Sequence, residues 1–142
     1  MQFKFRLQTV FDLRQHLEDE QKDTLSRERV KLNELEAELQ TLKNELLGWS
    51  QRYRESAGSG ISPAEVMRIV RYLEELQKNI NLQERSIERQ NAVVERERLL
   101  LIEKMKERKT IEALCGKQRE RFEYEESKRQ EKEIEELISS RR

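Results

Sequence analysis

The sequence predicts an all-α fold in which two long helices form an antiparallel coiled-coil hairpin. Three observations support this prediction. Apolar residues recur at heptad spacing in both halves of the chain, 41% of the residues are charged, and the helix-breaking residues are gathered at one place. Three of the four glycines and the single proline lie within residues 48–63. A narrow hydrophobic seam needs fewer apolar residues than a globular core, so an apolar share of 35% fits a coiled coil.

The first helix is predicted from about residue 5 to about residue 55. Its apolar residues follow one another at alternating steps of three and four, which is the a/d pattern of a left-handed coiled coil. The strongest part of this seam comprises Leu32, Leu35, Leu39, Leu42, Leu46, Trp49 and Tyr53. Nearer the N-terminus, Gln21 and Glu28 occupy positions where apolar residues are expected. We therefore expect looser packing in that part of the helix.

A chain reversal is predicted at about residues 56–62, where small residues tolerate the dihedral angles of a tight turn. The start of the second helix after this turn is marked by several residues. Ser62 is a candidate N-cap, Pro63 stands at the first helical position, and Glu65 completes a capping box with Ser62. These signals predict that the second helix begins at Pro63.

The second helix is predicted from residue 63 to about residue 139. One side of its seam repeats strictly every seven residues, at Leu73, Ile80, Ile87, Val94 and Leu101. The other side is apolar near the loop, at Ile69 and Leu76, and polar farther along, at Gln83, Gln90, Glu97 and Lys104. When the chain folds back about the loop, Trp49 faces Ile69 and Leu42 faces Leu76. The apolar-rich heptads of both helices then meet beside the turn, which favours one hairpin domain over residues 1–142.

Charge and hydropathy exclude two classes of partner. The 29 basic and 29 acidic side chains give no net charge, whereas a protein that binds duplex nucleic acid normally has a basic excess. The longest apolar run, Leu99–Ile102, is far shorter than the roughly 20 residues that span a bilayer. The start of the sequence has no apolar signal segment. We expect a cytoplasmic protein that neither binds nucleic acid nor inserts directly into a membrane.

Residues suited to catalysis or metal binding are sparse. His16 is the single histidine, and we expect it to be a solvated or seam-edge side chain. Cys115 is the single cysteine and lies on the heptad register, as a small seam residue would. Residues 58–60 lack the Lys-Ser/Thr pair that a phosphate-binding loop requires. The sequence therefore predicts no catalytic residues, no metal site, no cofactor and no enzymatic activity.

Aromatic residues near the predicted loop allow two interpretations. Trp49 and Tyr53 lie on the seam and can simply fill it. Tyr72 lies beside the seam residue Leu73, so its ring should face partly outward. Because exposed aromatic residues often anchor interfaces, Tyr72 is also a candidate contact for a partner.

The N-terminus carries more apolar residues than one face of a two-helix coiled coil can bury. Leu7 and Val10 fit the seam, but Phe5 and Phe11 cannot both point inward with them. Either these aromatic rings pack on the flank of the second helix, or they form a plug that inserts into another protein. The residues themselves leave both interpretations open.

Two stretches of the sequence resemble a known family. The N-terminal stretch Phe3-x-Phe5-Arg6-Leu7-Gln8-Thr9-Val10-x-x-Leu13-Arg14 looks like the signature of the FliJ proteins of bacterial flagellar type III export. The stretch Met105-x-Glu107-Arg108-Lys109-x-Ile111-Glu112-x-Leu114, followed by Phe122-x-Tyr124-Glu125, is similar to the C-terminal region of that family. The resemblance covers essentially the whole chain.

The resemblance implies a non-enzymatic component of the export apparatus, similar to the central stalk subunit of rotary ATPases. Such a protein is cytoplasmic and associates peripherally with the membrane through that apparatus. Its paired termini enter the flagellar export ATPase hexamer, its loop end engages the membrane protein of the export gate, and it handles export chaperones. By position, the ATPase-ring end would comprise Phe3, Phe5, Arg6, Leu7, Val10 and Arg14. The export-gate end would comprise Leu46, Trp49, Tyr53, Tyr72 and Leu76.

Two other functions are alternatives to the stalk. A generic coiled-coil tether or holding chaperone would have no rotary partner, and it would tolerate Ala at Phe3, Phe5 and Leu7. A nucleic-acid-binding helical arm would bind RNA or DNA tightly at moderate salt. The absence of net charge disfavours this second alternative.

Overall fold

The structure is a computed structural model that describes residues 7–141. It contains two helices, α1 (Gln8–Ala57) and α2 (Pro63–Ser140), which pack against each other, and no strand occurs in residues 7–141. The predicted all-α, two-helix fold is confirmed. The predicted start of the first helix at about residue 5 lies outside the described residues. The second helix begins at the predicted Pro63 and ends one residue past its predicted end.

The turn between the helices carries the N-cap that the sequence predicts at Ser62. The backbone N–H of Glu65 donates to the Ser62 hydroxyl oxygen at 3.3 Å and to the Ser62 carbonyl at 3.1 Å, so Ser62 caps α2. Gly60 has φ of 72°, a left-handed conformation that favours glycine. At the end of α1, the N–H groups of Gly58 and Ser59 bond to carbonyls three residues back. These bonds tighten the last turn and carry α1 to Ala57.

The packed chain divides into two compact units. The loop unit, Asp23–Arg98, contains the turn, and the terminal unit comprises Met1–Lys22 and Leu99–Arg142. In the loop unit the most buried side chains are Leu76 and Ile80, each 3% exposed, and Leu25, 4% exposed. Most other seam residues are half-buried, because two helices alone cannot enclose a seam from every side.

Two glutamines show the register of the loop unit. The Gln83 side-chain amide donates to the Leu35 carbonyl at 3.0 Å, and that of Gln90 donates to the Glu28 carbonyl at 3.0 Å. In each pair the two residue numbers add to 118. The predicted pairs of Trp49 with Ile69 and of Leu42 with Leu76 have the same sum. The loop unit therefore has the predicted antiparallel register.

The terminal unit has a polar layer in its seam. Glu18 is 3% exposed and hydrogen-bonds to Arg108 across the two helices, while Lys22 lies 3.6 Å from the same carboxylate. Beyond this layer, α2 carries exposed apolar side chains at Tyr124, Ile134, Leu137 and Ile138. No helix within residues 7–141 is long and apolar enough to cross a membrane.

Candidate functional site

The loop unit brings two of the predicted gate-end residues, Trp49 and Tyr72, into contact with each other and one of them into contact with an arginine. The rings of Trp49 and Tyr72 meet edge to face, with centroids 5.0 Å apart and an interplanar angle of 67°. The Arg52 guanidinium carbon lies 4.7 Å from the centroid of the Trp49 ring, in cation–π geometry. Tyr53 follows Arg52 and is 38% exposed. Aromatic and cationic groups therefore share the flank of the hairpin beside the loop.

Tyr72 is held in place but stays accessible. Its hydroxyl donates to the Glu45 carboxylate at 3.3 Å, and its side chain is 37% exposed, as its position beside the seam predicted. Partial burial, and then the negative charge of Glu45, raise the pKa of Tyr72 above its usual value of 10.0. The hydroxyl is therefore protonated at neutral pH and remains a hydrogen-bond donor. The hydroxyl end of the side chain is thus anchored by Glu45, while part of the side chain stays exposed.

The remaining gate-end residues lie deeper. Leu76 is 3% exposed, so it belongs to the seam and offers almost no surface for contact with a partner. Leu46 is half-buried and lines a groove of about 340 Å³ on the loop unit. Leu47 lies on the rim of this groove and is 70% exposed. The other lining residues are Lys43, Gln77, Ile80 and Glu84.

At the other predicted site, only part of the residue set is described. Leu7 and Val10 are half-buried, and the N–H of Phe11 bonds to the Leu7 carbonyl at 2.8 Å in the first turn of α1. Arg14 forms an ion pair with Glu107 at 2.9 Å, so its charge is paired with a carboxylate of the terminal unit. The predicted contact residues Phe3, Phe5 and Arg6 lie outside the described residues.

Phe11 lies where the first helix flanks the second, as one interpretation of the N-terminal aromatics expected. It lines a cavity of about 250 Å³ with Gln8 on α1 and with Glu112, Cys115, Gly116 and Arg119 on α2. Cys115 is a free, half-buried thiol at its predicted seam position. His16 is exposed and lies 2.9 Å from Glu20, one turn along the same helix.

The polar layer at Glu28 joins the two helices of the loop unit. The Gln90 amide donates to the Glu28 carboxylate at 2.6 Å, and Lys31 lies 3.2 Å from the same group. The hydrogen bond from Gln90, followed by that from Lys31, lowers the pKa of Glu28 below its usual value of 4.5. The polar residue Glu28 at this seam position therefore forms hydrogen bonds where an apolar residue would make hydrophobic contacts.

We expect the hydrogen-bonded Glu28 to make the free energy of unfolding depend on pH in the acidic range. A lowered pKa means that folding favours the charged carboxylate, so its stabilisation is complete above pH 4.5 and is lost as the pH falls through the lower folded-state pKa. Chemical denaturation at neutral and acidic pH should show a smaller acid-induced loss of stability for Glu28→Gln than for wild type. The control Glu34→Gln changes an exposed carboxylate nearby and should keep the wild-type loss. Equal losses for wild type and Glu28→Gln would contradict the assignment.

Sequence reasoning missed the pair between Glu18 and Arg108. Arg108 also hydrogen-bonds to Glu112 at 2.7 Å, and its bond to Glu18 raises the pKa of Arg108 above its usual range. The available signal was that Arg108 falls on the seven-residue repeat of α2, where an apolar residue is expected. Within residues 7–141, no group of three or more His, Cys, Asp or Glu side chains could hold a metal ion.

Comparisons with known proteins agree with this architecture. A family model described as "Flagellar FliJ protein" matches residues 3–142. The structure is similar to that of a YscO homolog from Chlamydia trachomatis, with a TM-score of 0.54 and 21% sequence identity. That similarity covers 96% of this chain and 93% of the other, and at this identity it concerns the fold alone. No curated protein matches the sequence.

Proposed function

We propose that this chain, which belongs to the flagellar FliJ family, acts as a stalk between the export ATPase ring and the export gate. Family membership makes the chain a component of the flagellar export apparatus. In our proposal the hairpin has no chemistry of its own. It binds the ATPase hexamer and promotes its assembly and activity, engages the gate, and handles export chaperones. It would act in the cytoplasm, at the membrane-bound apparatus.

The observation that carries the proposal is the family match over almost the whole of a two-helix hairpin. A stalk has to transmit force or binding state without yielding. Continuous backbone hydrogen bonding along the 50 residues of α1 and the 78 residues of α2 supports this property. Each helix contains one interior glycine, and proline occurs only at the first position of α2.

The two proposed binding surfaces differ in kind. The gate surface comprises Trp49, Tyr53 and Tyr72, because these rings are partly exposed. Trp49 and Tyr72 are also held by contacts across the helices. Leu46 and Leu76 belong to the same end and position those rings from the seam. The ring surface is assigned to Phe3, Phe5, Arg6, Leu7, Val10 and Arg14 by the family resemblance.

Removal of residues 1–14 is expected to abolish stimulation of the export ATPase. The intact chain should raise both hexamer formation and turnover when it is mixed with the flagellar export ATPase. The truncated chain keeps the loop unit complete, so circular dichroism should still report a helical protein. Equal stimulation by both forms, or none by the intact chain, would refute the assignment of the ring surface.

A finer comparison separates the stalk from a simple tether. The triple variant Phe3→Ala, Phe5→Ala and Leu7→Ala should reduce ATPase stimulation strongly, since the proposal gives these side chains to the ring. A tether without a rotary partner predicts no change. The matched control carries three Ala substitutions at the exposed apolar residues Val30, Leu82 and Leu99, which lie away from both proposed binding surfaces.

A further inference from the structure

The part of the loop unit nearest the turn is basic, although the whole chain has no net charge. We define the tip segment as residues 47–73. Its charged residues are four arginines, at positions 52, 54, 68 and 71, and two glutamates, at 55 and 65. The adjoining residues 31–46 and 74–87 carry four basic and seven acidic side chains. The tip segment is therefore a positive end above an acidic stretch.

The arginines of the tip segment are not neutralised by the protein. Arg54, Arg68 and Arg71 are exposed and form no ion pair within residues 7–141. Arg52 is exposed and lies on the Trp49 ring, which leaves its charge uncompensated. Elsewhere in the loop unit some cations, such as Lys31 and Arg98, lie against carboxylates, and others, such as Arg29, form no ion pair within residues 7–141. The positive charge at the tip is therefore available to an external anion.

The arginines are distributed around the tip segment. Arg52 and Arg54 stand on either side of the seam residue Tyr53, so they point to opposite flanks of α1. Arg68 precedes the seam residue Ile69, and Arg71 lies on the outer side of α2. At 1.5 Å per residue, all four are within about 12 Å of the helix end beside the turn. This arrangement suits an extended anionic surface approached end-on better than a peptide bound along one side.

Partly exposed aromatic and apolar side chains lie between the arginines. Met67 is 55% exposed, Tyr53 is 38% exposed and Tyr72 is 37% exposed. The turn itself, residues 58–62, has no charged residue. Tyrosine and tryptophan rings are favoured at the headgroup level of bilayers, and the arginine fork matches phosphate geometry.

We propose that the tip segment binds the surface of a membrane containing anionic phospholipids. The four arginines contact lipid phosphates, and the Met67 and Tyr53 side chains rest among the headgroups. No part of the chain crosses the bilayer. The proposal does not depend on the gate-binding role, because it follows from the charge and exposure of the tip segment alone.

Vesicle flotation tests this proposal with the full chain. The protein should float with vesicles of phosphatidylcholine and phosphatidylglycerol in a three-to-one mixture, and should not float with phosphatidylcholine alone. Added salt should weaken the binding, because it screens exposed charges. Each arginine near an anionic surface contributes a factor of about five, so replacing all four by Gln should weaken binding by roughly 100-fold or more.

A matched control removes four positive charges from positions outside the tip segment. The control variant carries Gln at Arg29, Arg85, Arg89 and Lys106, which are exposed and form no ion pair within residues 7–141. It should bind anionic vesicles far better than the tip variant, and circular dichroism should show both to be helical. Equal binding by the two variants, or no binding by wild type, would overturn the proposal. Binding of soluble polyglutamate in preference to anionic vesicles would also overturn it, in favour of an acidic protein partner.

Discussion

Replacement of Leu76 by Ala is expected to lower the free energy of unfolding by about 3 kcal/mol. Leu76 is 3% exposed and lies at the heptad position that the register places opposite Leu42. Removing its side chain takes away buried apolar surface and leaves a cavity that two stiff helices close poorly. Urea denaturation followed by circular dichroism measures this change directly.

Leu47 provides a matched control for this prediction. It carries the same side chain on the neighbouring part of the loop unit but is 70% exposed. Leu47→Ala should change the free energy of unfolding by no more than about 0.5 kcal/mol, as surface substitutions usually do. Similar losses for the two variants would mean that the seam does not run through Leu76 as the structure has it.

Replacement of both Trp49 and Tyr72 by Ala is expected to abolish binding to the export gate and to spare ATPase stimulation. The two rings contact each other across the helices, so they form one surface that neither helix provides alone. Aromatic side chains of this kind commonly supply most of the binding energy of an interface. A pull-down with the cytoplasmic part of the gate protein, run beside the ATPase assay, measures both functions.

Milder substitutions distinguish lost contact from lost folding. Tyr72→Phe removes only the hydroxyl bond to Glu45 and should retain most gate binding. Tyr72→Ala removes a ring that is 37% exposed, so it should weaken gate binding with little effect on helicity. Leu76→Ala should retain gate binding at temperatures where the variant is folded, because its side chain is covered. Loss of gate binding in Leu76→Ala alone, with Tyr72→Ala unaffected, would reject the proposed surface.

Periodicity made the hairpin and its register predictable. A two-helix coiled coil places almost every apolar residue on one seam, so heptad spacing identifies which residues face inward. The cap at Ser62 then located the turn, and the two Gln-to-carbonyl bonds agree with the pairing that the leucine positions predicted. The partly exposed ring of Tyr72 followed from its place beside Leu73 in the same way.

The polar contacts were less predictable, for a physical reason. Each side chain leans toward the N-terminus of its own helix, and in an antiparallel pair these directions are opposite. Long polar side chains therefore reach partners several residues away from the backbone register. The residue numbers of Gln83 and Glu38 add to 121, and those of Lys43 and Glu84 add to 127, whereas those of the two glutamine bonds to backbone carbonyls add to 118. The partner of Glu18 could not be identified from seam positions alone for the same reason.

The stacking of Arg52 on Trp49 also lay beyond sequence reasoning. Neighbouring positions on a helix allow such a contact but do not require it, because the guanidinium can equally extend into water. The assignment of partners to the two ends came from the family resemblance, and periodicity alone would have supported a tether equally well.

The central claim is that one hairpin links the export ATPase to the export gate, and a bridging assay tests it most directly. The gate fragment is immobilised, and retention of the ATPase is measured with and without this chain. We expect retention with the intact chain, and its loss both without residues 1–14 and in the variant with Ala at positions 49 and 72. Each of these forms should still bind its other partner. Failure of the intact chain to retain the ATPase, while binding each partner separately, would contradict the account.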